Sequence, residues 1–171
     1  MVRYKTAILK ISIFITITVF YSCNIFSPEY EHFDNIGSMG DNSTIEGLMK
    51  NFVYAYTFKD SFLYEELLDD EFMFEYDEGG VWESWNKDED VRITKTIFRN
   101  FKKIDLVFNS IFPEHTAEAD TTILTSFKID FYSGESSSAV LKLTGYSKFI
   151  YSKTTEEGEV RYSIKYWGDL K

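Results

Sequence analysis

"IEGLMKNFVYAYTFKDSFLYEELLDDEFMFEY" runs from Ile45 to Tyr76 and changes its period within one stretch. Ile45, Leu48, Met49, Phe52, Val53 and Tyr56 fall at i, i+3, i+4, i+7, i+8 and i+11, which is one face of a helix. Ser43, with Glu46 three residues on, reads as a capping box and predicts a helix over 44–58, weakened only slightly by Gly47. Asp60 or Ser61 then caps a short second helix over 62–68, carried by Leu63, Leu67 and Leu68. Beyond it the pattern alternates. Phe72, Phe74 and Tyr76 point one way, Met73 and Glu75 the other, so a strand is expected, ending in the acidic turn at Gly79–Gly80.

Further along, "WNKDEDVRITKTIFRNF" (Trp85 to Phe101) opens with Asn86 and Glu89, a second capping box. Ile93, Ile97, Phe98 and Phe101 mark the expected buried face of a third helix over 87–101. Acids fill its first turn, and Lys102 and Lys103 follow its end, as the helix dipole prefers. From there the chain reads as strand. One runs over 103–111. In "ADTTILTSFKIDFYS", Ile123, Phe127, Ile129 and Phe131 share a face, with Lys128 and Asp130 opposite and outward. "SAVLKLTGYSKFIYSK" is long, with a bulge or bend expected near Gly145 where alternation drifts. "EVRYSIKYWGDL" sets Val160, Tyr162, Ile164 and Tyr166 against Arg161, Ser163, Lys165 and Trp167. The last three strands are simplest as antiparallel neighbours joined by hairpins.

At 171 residues the chain has room for one ordinary domain with a core of its own. The aromatic load, 16 Phe and 12 Tyr, argues against disorder and for a strand-rich or strongly apolar interior. A net charge of −10 repels phosphate backbones and makes nucleic acid an unsuitable partner. The lone cysteine, Cys23, can form no internal disulfide and cannot build a thiolate metal site alone.

The acidity is confined to the chain beyond residue 22. The first 22 residues carry Arg3, Lys5 and Lys10 and no acid, and Ile11 to Ser22 is an uncharged, mostly apolar run. That run is too short for a spanning helix, which needs about 20 apolar residues, and suits a signal-peptide core of roughly 7–15. Ser22 supplies a small residue before the cut, and Cys23 follows. Phe20-Tyr21-Ser22-Cys23 resembles a bacterial lipoprotein signal, in which the cysteine becomes the lipid-bearing first residue; Phe20 and Tyr21 stand where that pattern usually has Leu and a small residue. The expected organisation is a signal peptide over 1–22, a flexible tether over 23–42 and a folded domain over 43–171. Cys23 would be the point of lipid attachment and the cell envelope the location. His32, in the tether, has no second ligand nearby and reads as solvated.

The order of elements also carries a resemblance. Two helices, a strand, a third helix and a run of long antiparallel strands resemble the nuclear transport factor 2-like superfamily, shared with ketosteroid isomerase, scytalone dehydratase and polyketide-cyclase-like proteins. Asp60, Tyr64, Leu67, Asp70 and Phe72 are similar to a family pattern after the first helix, and Trp167 with Asp169 to a W-x-D ending of the last strand. The resemblance implies an α+β fold: three N-terminal helices packed on a curved, mainly antiparallel sheet. It also implies that binding or chemistry takes place inside the cone between sheet and helices, and that a homodimer is plausible.

No catalytic set emerges from the residues. His115 lies in a loop after Pro113, and the carboxylates of "LLDDEF", "YDEGG" and "NKDED" read as solvated caps and turns. Asp77 and Glu78 lack calcium-loop spacing, and no metal or cofactor is implied. Tyr54, Tyr56, Tyr76, Phe98, Phe127, Tyr146 and Trp167 are the expected pocket lining. The expected function is a noncatalytic module that binds a small apolar ligand or a protein partner. The alternative is a small isomerase- or dehydratase-like enzyme using Tyr and Asp groups.

Overall fold

Each helix begins where a short polar side chain takes up backbone N–H groups that the first turn leaves unbonded. For α1 (Ile45–Phe58) that residue is Thr44, whose Oγ1 accepts from the Gly47 N–H at 3.0 Å. The expected cap, Ser43, instead donates its hydroxyl to Asp41. Asp60 caps α2 (Ser61–Leu67), accepting from the N–H groups of Phe62 and Leu63. Asn86 caps α3 (Lys87–Asn100) by accepting from Glu89 N–H, while the Glu89 carboxylate pairs with Arg92 rather than closing the box. The computed structural model of the protein describes residues 38–114, 121–134 and 139–170. The expected signal peptide, Cys23, His32, most of the expected tether and His115 lie outside the described residues.

The strands are β1 (Leu68–Glu78), β2 (Val81–Asn86), β3 (Lys103–Glu114), β4 (Thr121–Tyr132), β5 (Leu141–Glu156) and β6 (Glu159–Leu170). They form one sheet in the order β2-β1-β6-β5-β4-β3, with only the β1–β6 pairing parallel. β4, β5 and β6 follow one another as antiparallel neighbours, as expected, and β3 joins them antiparallel on β4. The early strand β1 then docks against the last one, β6. β2 was not legible: five of its six residues are exposed, so no apolar alternation marks it. It returns along β1 through Gly79 and Gly80, both at positive φ.

The folded body starts earlier than Ser43. Asn51, buried in α1, accepts from Gly40 N–H and donates to Gly40 O and Asn42 Oδ1, and Tyr162 N–H donates to Asn42 O. The segment crosses α1 so closely that a Cβ on Gly47 would sit 1.9 Å from the Asp41 carbonyl. Gly47 is therefore a crossing point rather than a mild flaw in a helix. Residues 40–42 belong to the domain.

Two further expectations shift. The register runs evenly through Gly145, and the bulge lies instead between Ile150 and Tyr151, against β6. That extra residue on β6 turns Tyr166 to one face and Trp167 to the face of Ile164, reversing the expected alternation. On α3 the buried residues are Asp90, Val91, Thr94 and Phe98, with Ile97 and Phe101 packed at the margin and Ile93 half-buried.

The core lies between the helices and one sheet face. α1 crosses β3 and reaches β6, while α3 covers β1 and β2. Phe52 is its centre: its ring meets those of Tyr56, Tyr64, Phe108, Phe149 and Trp167 at centroid distances of 5.1 to 6.0 Å. Buried rings of this size contribute about 1.5–3 kcal/mol each through burial, plus geometry-dependent ring contacts.

Candidate functional site

Two clusters of polar groups sit among these aromatics, one closed and one open. The closed cluster joins α2, β2 and α3. Asp90 is only 3% exposed, and its two carboxylate oxygens accept from Tyr64 Oη at 2.5 Å and Trp85 Nε1 at 2.7 Å. Burial pushes Asp90 above the usual carboxylate range, against the pull of those two donors. Burial also drives Tyr64 well above its ordinary value, helped by neighbouring Tyr56 and Asp90, and it raises Tyr56, which sits beside Thr94 and Tyr64. The sequence placed Asp90 among solvated caps. It is the fourth residue of α3, where the helix turns its side chain inward under Trp85.

The open cluster lies on the same sheet face, at the far ends of β1 and β6. Asp169 is the register partner of Tyr76 on β1 and Ser147 on β5. One of its carboxylate oxygens lies 3.5 Å from the point where a side chain on Gly145 would begin. The Phe127 ring covers that point at 3.0 Å. A Cβ at 145 would crowd this ring, which would have to give by a few tenths of an ångström. Next along β6, Trp167 donates its Nε1 to Ser147 Oγ at 3.1 Å and packs edge-on to Phe74, which stacks on Trp85. Tyr76 lies against Phe74 and Trp85, with its hydroxyl on Glu78. Beyond Gly145, Leu143 and Leu141 continue this face and are 45% and 42% exposed, so helices do not cover it there. Burial pushes Asp169 above its ordinary value.

Of the expected lining residues, Tyr56 and Phe98 are fully in the core, and Tyr76, Phe127 and Trp167 line the margin just described. Tyr54 packs at the core's edge against the Phe58 ring. Tyr146 does not join them. It pairs with Ser126 and Leu170 on the opposite face and is 62% exposed.

Asp130 also lies on that opposite face. It is on the outward side, as expected, but buried, flanked in register by Asp105 and Lys142 and ion-paired to Lys128 at 2.8 Å. Asp69 was also expected to be a solvated acid. It is half-buried and accepts from Ser152 and Ser163, whose hydroxyls are 2.8 Å apart. Burial opposes its charge, but these hydroxyls and the Glu71 N–H outweigh it and hold Asp69 below its usual range. It borders a polar groove of about 700 Å³ with Asp41, Glu66, Asp70, Lys87 and Arg161. Asp77 serves its turn, accepting from Gly80 N–H. Among the described residues no cluster of His, Cys, Asp and Glu could hold a metal ion, and no helix is long and apolar enough to cross a membrane.

Three helices on this mixed six-stranded sheet make the nuclear transport factor 2-like α+β fold. The chain is similar to a nuclear transport factor 2-like superfamily protein from Salmonella enterica serovar Typhimurium, at 12% identity and a TM-score of 0.57 over 72% of this chain and 84% of that one. It is similar to a protein from Kribbella flavida at 9% identity and a TM-score of 0.60, covering 76% and 89% of the two chains. A candidate scytalone dehydratase from Novosphingobium aromaticivorans aligns at 11% identity and a TM-score of 0.56, covering 74% and 82%. At such identities the likeness is one of fold. No protein-family model and no curated protein matches the chain.

Proposed function

We propose that this chain is an exported lipoprotein, anchored through Cys23, whose nuclear transport factor 2-like domain binds a small apolar ligand or a partner and performs no chemistry. The observation that carries the noncatalytic reading is the closure of Asp90. It is the most buried acid inside the cone among the described residues, and both oxygens are committed to Tyr64 and Trp85 behind packed rings. A group so enclosed touches no substrate; it holds α2, α3 and β2 together.

The anchor reading rests on the sequence: a basic start, an apolar run of signal-peptide length and a small residue before the lone cysteine. Stable membrane anchoring takes more than one acyl chain, which a lipidated N-terminal cysteine provides. Expression of the full chain in a bacterium with a labelled fatty acid tests it. The parent is expected to carry label and to sediment with membranes, and Cys23→Ala to lose both. Equal labelling of the variant would refute the anchor.

A second reading, a small isomerase or dehydratase, draws on Asp169, the half-buried carboxylate at the open end. Proton abstraction there would exchange α-protons of a bound cyclic ketone with D2O. NMR is expected to show no exchange beyond the protein-free rate.

A further inference from the structure

The open end holds a carboxylate that no described residue satisfies. Asp169 sits on the helix-facing side of β6, level with Gly145 and beside the Phe127 ring. No described residue donates a hydrogen bond to it or pairs with it; burial alone acts on its ionisation. Its surroundings are aromatic: Trp167 two residues before it on the strand, Phe127 across the sheet and Tyr76 alongside, with the Trp85 ring against Tyr76. The lysines of the neighbouring strands are no help. Lys128, Lys142 and Lys148 alternate with inward residues and so lie on the opposite face. The exposed Leu141 and Leu143 leave this part of the face accessible.

We infer that the open end of the cone takes a ligand bearing a protonated amine on an apolar or aromatic body, with the ammonium against Asp169 and the body against Trp167, Phe127 and the leucines. This rests on the reading of the domain as a binding module and names the chemical class it takes. A half-buried carboxylate without a counter-ion is costly, and an incoming cation removes that penalty while a neutral ligand does not. Ring faces attract the same cation through their quadrupoles. An anionic ligand would meet both Asp169 and a chain of net charge −10.

The test uses three probes of one shape: phenethylamine, 2-phenylethanol and 3-phenylpropionate. Binding to the full-length protein in detergent is followed by calorimetry and by tryptophan fluorescence, which Trp167 and Trp85 report. Phenethylamine is expected to bind about tenfold tighter than the alcohol, the propionate weakest, and Asp169→Asn to erase the amine's advantage while leaving the alcohol unchanged. Gly145→Leu, which places a side chain into the Phe127 ring, is expected to weaken all three alike. If amine and alcohol bind equally, or Asp169→Asn keeps the amine's advantage, the inference is overturned and the binding-module reading survives. If none of the three binds, the inference falls together with the small-ligand form of that reading.

Discussion

Asp90 and Asp169 lie on the same side of the sheet, and burial raises both, yet they are built for different purposes. Asp90 has a donor for each oxygen and almost no contact with water. Asp169 has no donor among the described residues and stands beside a glycine floor and two exposed leucines. A buried acid that is fully hydrogen-bonded is a structural joint, whereas one left without partners at an open margin is a place for something else to bind. Depth alone does not distinguish them; the supply of donors does.

The comparison breaks first if the closed end proves dispensable. Phe52→Ala removes the ring that touches five other aromatics, and the surrounding helices and strands cannot close the gap. A loss of about 3–5 kcal/mol is expected in urea unfolding. Phe127→Ala, at the half-buried open margin, is expected to lose well under half as much. Asp90→Ala should follow, at about 2–3 kcal/mol, because it leaves the Tyr64 hydroxyl and the Trp85 N–H buried without an acceptor. Double substitution with Tyr64→Phe is expected to be less than additive, since the phenylalanine no longer needs that acceptor. Strict additivity would mean that Asp90 and Tyr64 do not work as a unit.

A smaller effect concerns the crossing at the start of the domain. In an isolated helix, Gly47→Ala would stabilise by roughly 0.5–1 kcal/mol. Here the new methyl would strike the Asp41 carbonyl, so the melting temperature is expected to fall instead. A rise would show that residues 40–42 give way readily and are tether after all.

These residues also mark what the sequence could and could not convey. α1, α2, α3 and the five longer strands follow from short-range pattern, because each helix caps itself and each element buries one side. β2 escaped because it is an exposed edge with no buried side to advertise it. Gly47 read as a slight weakness and Gly145 as a bulge or bend because a glycine's packing partner, here Asp41 or Phe127, lies in another segment or on another strand. The β6 bulge moved Trp167 inward and Tyr166 outward, and a pure alternation count has no way to detect one extra residue. Asp90 was lost for a related reason: acids in a first turn usually cap, and only the arrival of Trp85 and Tyr64 from neighbouring elements makes this one internal. The W-x-D ending did carry a usable signal, since Trp167 and Asp169 are two apart on a strand and must share a face.

The smallest predicted stability change belongs to Asp169. Its ionisation in the fold lies above the ordinary 3.8, so the folded state favours the protonated form. The stability this contributes is complete below 3.8 and is lost as pH rises from there through the folded-state value. Solvent reaches the half-buried group, so the whole effect is expected to stay under about 1 kcal/mol. Asp169→Asn keeps the shape and never ionises, and is expected to be as stable as the parent at pH 3 and slightly more stable at pH 7, read as denaturation midpoints across that range. Asp90 shifts in the same direction, and its contribution remains in both proteins and cancels in the difference. Saturating phenethylamine is expected to close the gap at pH 7, because the ammonium then gives Asp169 the partner the fold withholds; a gap that persists with the amine bound would separate the carboxylate from the ligand and turn Asp169 back into an ordinary surface acid.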